Sequence, residues 1–319
     1  MGILNQIKKG RIEMKKALTL LLLLPLLSMA QQESYYSLYR FNMQVINPAY
    51  AGAEAENMLS LLNRTQWAAL DDSPRTMAMA FSSRRENNVG LGLSVVADKV
   101  FVERQTFAYA DFSYKLELTD QTRIFLGLKA GGNFYRSSSL NLEDYNTGVD
   151  PAQKEFSRFN PNVGAGMYLQ NEKYWVSFSI PRLFNVKRDD DISIGAKDRV
   201  HSYLGAGINF SVGDELYLKP NVMIRKVAAL PLSADIGTFV SFQNRIDFGA
   251  SYRTNAALSF MTYINIVNGI DVGYAYETPT DVSLAGQSVK THEIFLRIRL
   301  GEGTQTVEKE TSTGGPMNQ

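Results

Sequence analysis

The chain has 319 residues, a net charge of +1 and no cysteine. Balanced charge argues for neither nucleic acid nor an anionic partner, and the missing thiols exclude a disulfide framework, a thiolate metal site and a lipidated N-terminal cysteine. Past Ala30 no apolar run approaches the ~20 residues of a spanning helix, which excludes a helical membrane protein.

Lys15 and Lys16 precede the apolar run ALTLLLLLPLL (17–27), with the small residues Ser28 and Ala30 after it. Basic, apolar, then small is the order of a secretory signal peptide, so residues 1–30 are predicted to be removed, leaving Gln31 first. Met14 is an alternative start, because residues 1–13 add nothing to the signal. Residues 31–56 lead into the first strand, and Tyr35, Leu38 and Tyr39 share one face of a short predicted helix. In QVINPAYAG (44–52) Pro48 disfavours helix at Asn47, and Gly52 permits a positive-φ exit, so the segment turns sharply there.

From residue 57 the pattern has period two. RIDFGASYR (245–253) sets Ile246, Phe248, Ala250 and Tyr252 against Arg245, Asp247, Ser251 and Arg253. EIFLRIRL (293–300) sets Ile294, Leu296, Ile298 and Leu300 against Glu293, Arg297 and Arg299. Such alternation gives strands with one apolar and one polar face. Runs of this kind fall near 57–67, 75–84, 87–98, 102–118, 121–137, 160–170 and 172–183. They continue near 198–212, 214–227, 230–243, 244–254, 256–268, 269–279 and 289–300, which makes about fourteen. Many reach ten residues or more, the length of a tilted strand crossing a bilayer.

Connection lengths separate a soluble sandwich from a membrane barrel. Every even-numbered connection is tight, as in RREN (84–87), LTDQ (118–121), QNEK (170–173) and NG (268–269). The long ones, 138–159, 184–197 and 279–288, are all odd-numbered. Short turns at one end and long loops at the other are how outer-membrane barrels are built, with the turns periplasmic. The predicted fold is therefore all-β: a closed outer-membrane β-barrel of about fourteen antiparallel strands over 57–300, in contact with outer-membrane lipid. The segment 31–56 is expected to enter its lumen, and the polar tail 301–319 is read as disordered and periplasmic.

The inward face carries both signs of charge: Arg123, Lys129, Lys219, Arg225, Asp247, Asp271, Arg297 and Arg299. A mixed set suits internal ion pairs better than an ion-selective ring. The same face holds Gly90, Gly92, Gly131, Gly164, Gly166, Gly205, Gly207 and Gly249. Glycine within a strand often marks close approach by another backbone, which points to the lead-in segment as the inserted chain. Trp67 and Trp175 are read as members of interfacial girdles. The carboxylates Asp144, Asp150, Asp189, Asp190 and Asp191, with Arg188, stand in the long loops where a cargo would be met.

INPAYAG (46–52), RTQW (64–67) and SPRT (73–76), with PNVGAGMYL (161–169), FGASYR (248–253) and THEIFLRI (291–298) in order, resemble the PorP/SprF family of type IX secretion membrane proteins. Asn47, Pro48, Ala49, Tyr50, Ala51 and Gly52 match its opening motif, and Arg64, Gln66, Trp67, Pro74 and Thr76 its next two. Ile46 replaces the family's usual Met, and Asp72 stands where the family commonly has Gly. The resemblance implies an outer-membrane location and partners among other type IX secretion components. It also implies exported cargo, such as gliding adhesins, handled through C-terminal sorting domains.

Two rival readings remain. A FadL-type transporter of hydrophobic small molecules shares the strand number and an early Asn-Pro-Ala step, but its lumen calls for Leu, Phe and Met rather than Gly, Tyr and charge. An enzyme would have only His201 and His292 as imidazole bases, and His292-Glu293 lacks the second His of a helical zinc motif. No enzymatic activity, cofactor or metal is expected.

Overall fold

The computed structural model describes residues 35–68, 72–101, 103–137, 156–184, 199–228, 230–280 and 290–300. The readings placed on the signal peptide, on the loop residues 144–150 and 188–191 and on the tail fall outside them. Packing divides the chain into Met1–Tyr35, of which one residue is described, and Tyr36–Gln319, which holds everything below.

Period-two alternation yields strands throughout. They are β1 (Asn57–Thr65), β2 (Arg75–Arg84), β3 (Val89–Val100), β4 (Glu103–Thr119), β5 (Thr122–Ser137), β6 (Phe156–Gln170) and β7 (Tyr174–Arg182). There follow β8 (His201–Ile208), β9 (Phe210–Ser211), β10 (Leu216–Val227), β11 (Ser233–Phe242), β12 (Ile246–Arg253), β13 (Ala257–Val267), β14 (Ile270–Pro279) and β15 (Thr291–Leu300). β9 continues β8 beyond Asn209, and both pair with β10, so the wall has fourteen staves. Each stave pairs antiparallel with its chain neighbour, and β15 pairs with β1 from Asn57↔Leu300 to Thr65↔His292. The sheet closes on itself and is a fourteen-stave antiparallel barrel. Closure leaves no backbone edge unpaired in hydrocarbon.

The two faces are inverted relative to a soluble protein. Leu93, Leu128, Ile236, Phe248 and Ile294 point outward and are among the most exposed apolar side chains, while Ser60, Arg64, Asp111, Lys129, Glu293 and Arg297 are buried inside. The apolar core lies within the lumen too: Leu38, Phe41, Met43, Ile46 and Tyr50 pack against Phe125, Tyr168, Trp175, Phe239, Met261 and Phe295 from the walls.

The segment ahead of β1 supplies that inner core. It differs from the predicted helix through Tyr35, Leu38 and Tyr39: a 3-10 turn starts only at Tyr39 (Tyr39–Phe41), followed by a single α turn, Met43–Ile46. The physical reason is competition for amides, since the N–H groups of Ser37 and Leu38 are given to the Glu293 carboxylate at 3.0 and 2.8 Å. At 46–52 the chain does turn, as the sequence predicts. Asn47 is extended and its Oδ1 accepts from Ala49 N at 2.9 Å, capping the 3-10 turn Pro48–Tyr50, and Gly52 leaves with φ +72°.

Candidate functional site: the segment held inside the lumen

Tyr36–Glu56 descends the lumen from the end bearing the long connections to the end bearing the tight turns. It is fastened at three levels. At the long-loop level Arg64, wholly buried on β1, donates to Glu293 at 3.1 Å and to Glu277 at 2.8 Å. Glu293 receives the two segment amides, Ser37 Oγ donates to Glu277 at 3.0 Å, and Arg253 reaches both Glu277 at 3.0 Å and Asp235 at 3.3 Å. One face of the segment thus completes a charge cluster drawn from β1, β11, β12, β14 and β15. A buried ion pair earns little net stability, but removing one member leaves its partner uncompensated at a cost of about 3–5 kcal/mol.

At mid-depth the contacts are shorter-range and mostly uncharged. Tyr39 donates to Asn221 at 2.6 Å, and Phe41 stacks on Tyr263 with ring centres 3.8 Å apart. Gln44 Nε2 donates to the Phe81 carbonyl at 2.8 Å and to Asp111 at 3.1 Å. Lys129, paired with Asp111 at 3.3 Å, donates to the carbonyl of Val45 at 3.0 Å. Asn47 Nδ2 donates to Ser177 Oγ at 2.8 Å and to the Met167 carbonyl at 3.0 Å. The turn motif is therefore sewn to β6 and β7, while Gln44 meets β2 and β4.

At the turn end Arg84 donates to the carbonyls of Gly52 and Ala53 at 2.8 and 3.1 Å, and Ser113 donates to that of Ala51 at 2.6 Å. Glu54 pairs with Arg297 at 2.7 Å and accepts from the Tyr50 hydroxyl. Arg297 also donates to the Phe41 carbonyl.

Five inward glycines make room for this chain, among them Gly273, where a Cβ would lie 3.1 Å from Leu38 Cδ1. A Cβ on Gly127 would lie 2.5 Å from Ala49 Cα, one on Gly166 would overlap the Asn47 side chain, and those on Gly90 and Gly92 would meet Ala51 and Gln44. The remaining inward glycines have other neighbours. Gly131 lies against Tyr109, Gly164 against Pro181, Gly205 and Gly207 against Trp175, and Gly249 against Phe239, all within the wall. Their sequence signature was the same, but they accommodate the wall itself: side chains at Gly205, Gly207 and Gly249, and chiefly backbone at Gly131 and Gly164.

The remaining sequence-derived residues sort as follows. Gln66 donates its backbone N–H to the Pro74 carbonyl at 2.9 Å and so closes the β1–β2 connection; Pro74 is buried, and Thr76 donates to Asp98 of β3 at 2.7 Å. Trp67 is exposed there with φ +53°. Asp72 has φ +56°, a conformation suited to glycine. Lys219 faces Asp247 at 3.5 Å, Arg299 pairs with Asp271 at 3.0 Å, and Arg225 is buried on β10 opposite Tyr203. Arg123 is exposed, opposite Glu117, and stands apart from the interior pairs. Trp175 is a correction: its ring is inside the lumen beneath the Arg40 guanidinium, 5.1 Å away, rather than in an interfacial girdle. Gly205 and Gly207 leave the space that lets it turn inward.

Sequence reasoning missed Glu54, Asp111, Asp235 and Glu277 as partners in this network. Each sits at an inward step of the alternation or in the lead-in, which was the available signal, but nothing local identifies its partner. Among the described residues no group of three or more His, Asp or Glu is arranged to hold a metal ion.

A closed fourteen-stave barrel with an apolar exterior and a segment of its own chain held across the lumen defines an outer-membrane β-barrel protein. Residues 28–298 match the type IX secretion system membrane protein family PorP/SprF. The chain belongs to that family and is a membrane component of type IX secretion. Among solved structures it is similar to the Ralstonia pickettii toluene transporter TbuX, at 12% identity and a TM-score of 0.48, over 79% of this chain and 92% of that one. It is also similar to the Acinetobacter baumannii outer membrane protein Omp33, at 8% identity and a TM-score of 0.44, over 78% of this chain and 99% of that one. The CymD monoaromatic hydrocarbon channel matches at 12% identity and a TM-score of 0.45, over 79% of this chain and 90% of that one. No curated protein matches the chain.

Proposed function

We propose that the protein supports export or surface attachment of cargo proteins, gliding adhesins among them, by engaging their C-terminal sorting domains. In this reading it is a non-enzymatic outer-membrane scaffold whose loops and rims make the contacts, and cargo does not pass through its lumen. The supporting observation is the buried segment, fastened to the wall at three depths. A polypeptide could pass only if all three sets of contacts released together. Transport of hydrophobic small molecules is the weaker reading: the lumen does carry apolar wall side chains such as Phe125, Phe239, Met261 and Phe295, but the inserted segment covers them, and ion pairs such as Arg64–Glu293 and Lys129–Asp111 stand among them.

The test exploits a chain without cysteine. The hydroxyls of Ser37 and Ser259 lie 3.5 Å apart, so Ser37→Cys with Ser259→Cys places two thiols within a small shift of disulfide geometry and locks the segment to β13. Cargo display by cells carrying the oxidised, locked barrel should equal that of the reduced one. Display that stops on oxidation and returns on reduction would make the lumen the conduit.

A further inference from the structure

At the turn end the segment and the walls from β10 to β15 enclose a cavity of about 160 Å3. Its rim residues Glu54 and Asn244 are exposed, so it opens to water beyond the turns. Three of its cations are already paired: Arg297 with Glu54, Arg299 with Asp271, and Lys219 with Asp247. The fourth, Arg40, has no carboxylate partner among the described residues; its guanidinium rests on the Trp175 ring. Arg297 adds a second unmet demand. Although the residue is only 5% exposed, its Nε has no hydrogen-bond partner among the described residues. A surplus positive charge on Arg40 and a buried donor without an acceptor on Arg297, two residues that line one small space, form a receptor for a single anionic group.

We propose that this cavity binds the carboxylate of an acidic side chain or chain terminus on a periplasmic polypeptide, with Arg40 as its principal contact. The size favours one group of a larger partner. Sites that enclose a whole small molecule run to roughly 300–1,000 Å3, and this one holds little more than the end of a side chain. The tight turns mark the periplasmic side of such barrels, which fixes where the partner comes from. The inference goes beyond the proposed role in cargo display and rests only on the cavity and its charges.

Because Arg40 covers Trp175, occupancy has an optical reporter. In full-length Trp67→Phe protein purified in detergent, Trp175 is the sole indole. Titration with acetyl-Gly-Glu-Gly-amide should change its emission saturably. The matched glutamine peptide and sodium acetate should bind at least about tenfold more weakly, as should the glutamate peptide to Arg40→Gln, the scale of one charge-assisted hydrogen bond. Arg123→Gln, outside the cavity, should leave the affinity unchanged, and raised sodium chloride should weaken it in the parent protein. An equal response to the glutamine peptide, unaltered affinity in folded Arg40→Gln or salt-independent binding would overturn the site. Acetate binding as tightly as the glutamate peptide would overturn a polypeptide as its source.

Discussion

The Arg64 guanidinium on the first strand lies 3.1 Å from the Glu293 carboxylate on the last, and that same carboxylate holds the amides of Ser37 and Leu38. Wall and inserted segment therefore share one acceptor. Arg64→Gln should strand Glu293 as a buried charge, while Glu277 keeps Arg253, and destabilise the barrel by about 3–5 kcal/mol. Heat-modifiable migration on gels would report it as unfolding at lower temperature. Arg64→Lys, which keeps the charge but loses the fork that reaches two carboxylates, should fall between.

Gly127→Ala places a Cβ against the backbone of Ala49, where neither side has a flexible end to yield. Overpacking of this kind costs about 1–3 kcal/mol, and here it pushes directly on the segment. The expected outcome is faster protease cleavage within 44–52 and a higher single-channel conductance in planar bilayers. Gly213→Ala, with nothing within 4 Å of the new atom, is the matched control and should change neither.

Asn47 combines a cap with two cross-lumen bonds, to Ser177 and to Met167. Asn47→Ala should cost about 2 kcal/mol, a cap and a hydrogen bond together. Asn47→Asp keeps the cap acceptor but turns an oxygen toward the Met167 carbonyl, so it should be no better than alanine. Denaturant midpoints of the three proteins in one detergent would decide this.

The outer face can be tested by depth. Leu128, 62% exposed in mid-stave on β5, should not tolerate arginine: Leu128→Arg is expected to cost about 2–4 kcal/mol in lipid. Leu118, near the turn end of β4, should accept the same change for about 0–1 kcal/mol. Folding yields into vesicles would compare the two, and equal penalties would contradict the depth assignment.

The staves and their tight turns were legible because alternation and turn composition are local properties. The pairing of charges was not. Arg64 meets residues 213 and 229 positions away, and only the register of the closed sheet decides that Glu277 and Glu293, rather than other inward carboxylates, stand opposite. Trp175 shows the other limit. Its alternation phase put it inside, but a tryptophan at a strand end invited a girdle assignment, and the two glycines that seat its ring lie on the next strand. The same ambiguity split the inward glycines between those facing the inserted chain and those facing the wall.

The seam between β1 and β15 joins the first and last wall strands to be synthesised. Until the final strand arrives, two long edges stay open and the lead-in has no Glu293 to grip, so closing the cylinder and seating its occupant are one late event. A chain cut short before residue 291 would then be unfinished at both tasks, leaving a curved ribbon that export quality control would have to shield or destroy.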